Sequence, residues 1–220
     1  MSSRFSQQPH LTAAERVAQA LRIAITQGDL PAGAQLRQEE VAAQYQVSRM
    51  PVREAFRQLE MEGLLVVYPS RGAFITRLEA DEIREIYEIR TLLEGQALRR
   101  AVPALTPAIL DQAEALLNRL DIASDSVTFR ELDEAFHTTL YTPAQRPRLL
   151  DLIDTLRRQV TYFFYVVTAP ATYRDNIQQD HRHILAACRQ GDVSGAVVAV
   201  ENHLRRSAEA TLRANQQHHN

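Results

Sequence analysis

Asp133 and His137 stand four residues apart in the run ELDEAFHTTL, and a helix would project both from one side. Such a pair is either a solvated side-chain contact or two of the ligands of a metal ion. Further histidines sit in later helical runs, His181 in RDNIQQDHRHILAA and His203 in AVENHLRRSAEA. Two consecutive antiparallel helices would bring those rings to one level of a bundle. One carboxylate with three imidazoles suits a divalent transition metal, zinc first, with nickel, manganese or iron as alternatives, and leaves positions open for water or a ligand. The competing reading makes these unrelated surface or core histidines, and spacing alone leaves the two even, because nothing local makes three helices converge. His10, His218 and His219 belong to the tails, and His183 is two residues off the face of His181.

A second set of residues suits a different partner. In QVSRMPVREAFRQLEMEGLL, Arg49, Arg53 and Arg57 recur every four residues, while Val52, Phe56 and Leu59 line another face. One face would pack and the other would present guanidinium groups. An arginine on a helix in the major groove can make a bidentate pair with guanine. A charged stripe is more often only a solvated face, here with Glu54 and Glu60 as ion-pair partners. The neighbouring pattern reverses that preference: the helix follows a short turn, and Arg71-Gly72 occupy a hairpin tip that could approach the minor groove.

The elements that must position these residues follow from periodicity. LTAAERVAQALRIAIT at 11–26 places Val17, Leu21 and Ile25 on one stripe, with Thr12 and Glu15 as a capping box. GDLPAG breaks the chain, a short helix spans 38–45, and Ser48 can cap a third helix to Met61, with Gly63 ending it. LLVVYPSRGAFITRL then reads as two strands about a turn. Helices are expected over 80–101, 106–122, 127–141, 147–168, 172–190 and 193–214. The fold class is therefore mainly α: a winged helix-turn-helix with a β-hairpin wing over 1–77, then an antiparallel all-α bundle over 78–220.

Composition sets the outer bounds. The chain has 220 residues, 45% of them apolar and 24% charged, as expected for ordinary globular domains. The net charge of -2 hides a division. Residues 1–77 hold nine arginines against seven acids, and the rest holds sixteen against twenty, with no lysine anywhere. No apolar run is long enough to span a membrane, and the N-terminal residues lack the apolar core of a secretory signal. The single cysteine, Cys188, excludes an internal disulfide and reads as a buried, inert thiol, so a cytoplasmic protein is expected.

GDLPAGAQL, VSRMPVREAF, EGLL and SRGAFI together resemble the N-terminal domain of the GntR family of bacterial transcription regulators. RELDEAFH, DHRHILAACRQGD and ENHL, with the arginine of IYEIRTLLEGQAL, resemble the FCD domain, the ligand-sensing half of the FadR subgroup. Gln38 stands where the family usually has glutamate, Gln46 where glycine or a small residue is common, and Asp180 where glutamate often precedes the third ligand. The resemblance implies that Arg49 and Arg53 read bases, that Ser48 and Arg57 hold the phosphate backbone, and that Gly72 approaches the minor groove. It maps the metal ligands onto Asp133, His137, His181 and His203, and places Arg90 in the bundle cavity, paired with the carboxylate of a small organic-acid effector. An ion pair of Arg90 with Glu94 or Asp133 is the alternative. Arg158 and Tyr162, one helical turn apart, are further cavity candidates. The expected function is a homodimeric, effector-responsive regulator reading a short inverted repeat in double-stranded DNA. The rival readings are a metalloenzyme acting on an organic acid, with Glu134 the nearest candidate base, and a regulator whose metal is purely structural.

Overall fold

A computed structural model of the chain describes residues 11–26, 29–69, 71–160 and 171–217. Two compact units meet in sequence at Leu78 and Glu79.

The N-terminal unit runs α1 (Ala13–Thr26), β1 (Gln35–Leu36), α2 (Gln38–Tyr45), α3 (Arg49–Met61), β2 (Leu65–Tyr68) and β3 (Gly72–Ile75). The Thr12–Glu15 capping box is present in both directions, Glu15 Oε2 accepting from Thr12 N at 2.7 Å and Thr12 Oγ1 from Glu15 N at 3.2 Å. Val17, Leu21 and Ile25 of α1 are buried, as are Val52, Phe56 and Leu59 of α3, and these two helices pack together. The wing is a three-stranded antiparallel sheet in the order β1-β3-β2, with Leu65 opposite Ile75 and Tyr68 opposite Gly72. β1 was not expected. Its two residues are too short to show alternation, and pairing with β3 creates the strand: Gln35 faces Phe74 and Leu36 faces Ala73.

Two local details differ from expectation. Ser48 stands at the N-cap of α3 with an extended backbone, but its side chain makes no capping bond; the helix starts without it. Gln46 adopts the left-handed conformation, φ 55°, and its N–H reaches Ala42 O and Ala43 O. The turn demands a residue at positive φ, which glycine accepts freely and glutamine at a cost.

The C-terminal unit is built from α4 (Ala80–Ala101), α5 (Pro107–Asp121), α6 (Ser126–Tyr141), α7 (Pro147–Gln159), α8 (Ala171–Arg189) and α9 (Val193–Gln217). α9 packs on α4 and α8, and α5 on α6 and α8. Phe129, Phe136, Leu140, Ile184, Val200 and Leu204 lie in its core. Glu79 and Glu82 form a capping box at α4, Thr106 caps α5 ahead of Pro107, and Asp125 caps α6 by accepting from Thr128 N at 2.9 Å. The helix expected over 147–168 is observed to Gln159. Residues 161–170, Tyr162 among them, lie outside the described residues. No described helix is long and apolar enough to cross a membrane.

Candidate metal centre and nucleic-acid interface

α6 carries Asp133, His137 and Tyr141 at successive four-residue steps, α8 carries Gln178 and His181, and α9 carries His203. All six are buried. The three helices converge, so that one ring nitrogen from each histidine lies within 4.8 Å of the others. His137 Nε2 and His181 Nε2 are 3.2 Å apart, and Asp133 Oδ1 is 3.2 Å from His181 Nε2 and 4.0 Å from His137 Nε2. Phe136 packs against the His137 and His181 rings, at centroid distances of 5.2 and 4.9 Å.

Hydrogen-bond bookkeeping decides where the ring protons sit. Tyr141 donates its hydroxyl proton to Glu94 Oε2 at 2.8 Å, so its oxygen can only accept from His137 Nδ1, 3.1 Å away. Gln178 donates through Nε2 to Leu117 O at 3.2 Å and to Asp121 Oδ1 at 2.7 Å. Its Oε1 therefore accepts from His181 Nδ1 at 3.0 Å. Both imidazoles carry their proton on Nδ1, and two bare Nε2 atoms face each other beside a carboxylate. Burial pushes His137 well below the usual imidazole range and the charge of Arg157 adds to this; burial also lowers His181, against the opposing effect of Asp133. A second ring proton is disfavoured, and the lone pairs call for a cation. Donor atoms held about 2.0–2.1 Å from zinc stand roughly 3.0–3.5 Å from one another, which two 3.2 Å separations match, while Asp133 Oδ1 to His137 Nε2 at 4.0 Å and the 4.8 Å span of the histidine nitrogens are wider. The donor set fits a divalent transition metal.

The surroundings add residues that periodicity alone did not single out. Arg157 of α7 donates to Asp133 Oδ2 at 2.7 Å. Burial would push the Asp133 carboxyl up, but the Arg157 guanidinium bound at Oδ2 counters it, and the carboxyl lies well below the usual carboxylate range. It is ionised, as a ligand must be. Asp180 pairs with Arg206 at 2.5 Å and stands 3.8 Å from His203 Nδ1, beyond hydrogen-bond reach, and that ring nitrogen is buried without a hydrogen-bond partner.

Arg90 is buried on α4, its Nε 2.9 Å from Glu94 Oε1 and its guanidinium 4.8 Å from the Tyr87 ring centre. Of the two roles considered for it, the ion pair with Glu94 is what the structure contains. Arg158, expected at the cavity, groups with the N-terminal unit; its neighbour Arg157 reaches Asp133. Glu134 is paired with Arg130 at 2.7 Å.

In the N-terminal unit Arg49, Arg53 and Arg57 are exposed along α3, opposite the buried Val52, Phe56 and Leu59. Arg49 Nη1 is 2.9 Å from Glu39 Oε1, itself exposed. Arg53, Arg57, Arg71 and Gly72 line one cleft of about 460 Å³ between α3 and the wing. Gly72 has φ +93°, and Gln35 Nε2 donates to Arg71 O at 2.8 Å, which ties the wing tip to β1.

Residues 13–75 match the family described as "Bacterial regulatory proteins, gntR family", and residues 85–206 match the FCD domain. The chain belongs to the GntR family. It is a DNA-binding transcriptional regulator with an FCD domain, as its relatives are, and not an enzyme. The chain is 29% identical over 188 residues to the HTH-type transcriptional repressor RspR of Escherichia coli K12, covering 84% of this chain and 82% of that protein. It is 30% identical over 206 residues to a probable D-xylose utilization operon transcriptional repressor of Paenarthrobacter nicotinovorans, covering 93% and 91%. A solved GntR family member from Pseudomonas syringae pv. tomato DC3000 is 33% identical, with a TM-score of 0.56 over 96% of this chain and 89% of that one.

Proposed function

We propose that this regulator binds a divalent transition metal, zinc first among candidates, through Asp133, His137, His181 and His203, and responds to a small carboxylate metabolite bound beside it. The observation that carries the metal is the 3.2 Å approach of two unprotonated imidazole nitrogens beside an ionised carboxylate. The ion supplies a Lewis-acidic anchor for a carboxylate oxygen. Arg90 is the organic cation nearest in role, able to exchange Glu94 for an incoming carboxylate. The DNA-reading half acts as a homodimer on a short palindromic operator. Arg49 and Arg53 meet base edges, Ser48 and Arg57 hold phosphates, and Arg71 and Gly72 enter the minor groove.

Competition of the full-length, metal-stripped chain with a chromophoric chelator tests the centre. The parent takes up zinc in proportion to chain, and His181→Ala loses that uptake. A parent that leaves the chelator's zinc untouched overturns the reading. Thermal shift of zinc-loaded protein across small organic acids then tests the effector, since a ligand of the folded state raises its melting temperature. Arg90→Gln removes that rise.

A further inference from the structure

Two buried side chains, Tyr141 and Glu94, join the proposed metal ligand His137 to Arg90, and the ligand set assigns neither of them a role. Tyr141 lies one turn past His137 on α6, and Glu94 one turn past Arg90 on α4. Tyr141 donates its hydroxyl proton to Glu94 Oε2 at 2.8 Å and stands 3.1 Å from His137 Nδ1. Burial would raise Glu94, but the Arg90 guanidinium holds it below the usual range, so it is an acceptor only. One carboxylate thus neutralises Arg90 through Oε1 and takes the Tyr141 proton through Oε2. The direction of every hydrogen bond from Arg90 to His137 follows from that single negative charge.

We propose that Glu94 and Tyr141 are positioning residues that dictate the tautomer of His137, so that the counter-ion of Arg90 controls whether His137 turns a lone pair or a proton toward the metal. The inference rests on the metal reading above. Replacing the carboxylate by an amide reverses the relay. Arg90 still requires an acceptor, which takes the amide oxygen; the amide NH2 then faces Tyr141 and donates to it. Tyr141 in turn donates to His137 Nδ1, which moves the ring proton to Nε2 and blocks the ligand atom. Removing the tyrosine hydroxyl cuts the relay without reversing it.

Three full-length variants separate these outcomes: Tyr141→Phe, Glu94→Gln and the double substitution. Zinc affinity, measured by chelator competition, falls about 10–100-fold in Tyr141→Phe, the range for loss of a residue that orients a metal-bound histidine. It falls further in Glu94→Gln. In the double variant it returns to the Tyr141→Phe value within about twofold, because the reversed amide no longer reaches the ring. A double variant weaker than either single one, or a Glu94→Gln chain that binds zinc like the parent, overturns the relay. Histidine 15N spectra of metal-free protein provide a readout that does not depend on metal uptake. They show His137 protonated at Nδ1 in the parent and at Nε2 in Glu94→Gln, and an unchanged tautomer overturns the relay even if Tyr141→Phe fails to fold. A parent chain that takes up no zinc yet shows the tautomer switch sinks the metal reading alone.

Discussion

Arg53 on α3 and Arg90 on α4 are the same residue type in opposite surroundings. Arg53 is exposed, with the apolar side of its helix packed beneath it. Arg90 is buried and committed to Glu94, which is itself fully enclosed. An exposed guanidinium adds little to folding and is available to whatever negative surface arrives. A buried one must be neutralised from within the fold, and the partner that neutralises it inherits a fixed orientation. The N-terminal unit therefore keeps its α3 arginines outside the structure that holds them, while in the C-terminal unit Arg90 and its counter-ion are part of that structure.

Substitution at Glu94 tests the contrast most severely. Glu94→Ala leaves Arg90 buried without a counter-ion and should destabilise the metal-free chain by about 3–5 kcal/mol in urea unfolding. A loss within the scatter of surface substitutions would show that Arg90 finds water or another partner. Arg53→Ala should cost about 1–3 kcal/mol of operator binding in a gel shift, with thermal unfolding unchanged. Arg57→Ala should weaken binding to all sequences alike and lower the salt slope by about one. An Arg53→Ala chain that unfolds more easily than the parent would erase the distinction between the two units.

A smaller effect sharpens the comparison at the start of α6. Asp125→Ala removes the N-cap of α6 and should cost about 0.5–2 kcal/mol. Backbone hydrogen bonding from Thr128 holds the Asp125 carboxyl below its usual value. Its contribution is thus complete above the unfolded pKa, about 3.9, and is lost as pH falls through the folded one. Thermal unfolding of parent and variant should differ at neutral pH and converge in acid; a gap that persists in acid would assign the effect to something other than the charged cap.

Much of the arrangement was legible in the sequence because it is periodic. The stripe of Val17, Leu21 and Ile25, the row of Arg49, Arg53 and Arg57 opposite Val52 and Phe56, and the break at Gly63 all rest on contacts within a turn or two. β1 escaped because its two residues become a strand only when β3 lies beside them. Tyr141 and Gln178 carried a signal that helical spacing could have raised, since each falls one turn from a histidine on its own helix. Arg157 had no such signal: its partner Asp133 is 24 residues away on another helix.

The order of apolar and polar residues by itself determined the winged N-terminal module, the helical bundle and the histidines able to ligate, because helix faces and caps are set by near neighbours in the chain. Only the tertiary structure decided which of those histidines meet, which nitrogen of His137 and of His181 is bare, and which acid holds Arg90. Those outcomes depend on hydrogen-bond complementarity across α4, α6, α8 and α9, where a shift of one ångström exchanges a donor for a gap, and no local pattern encodes that registration.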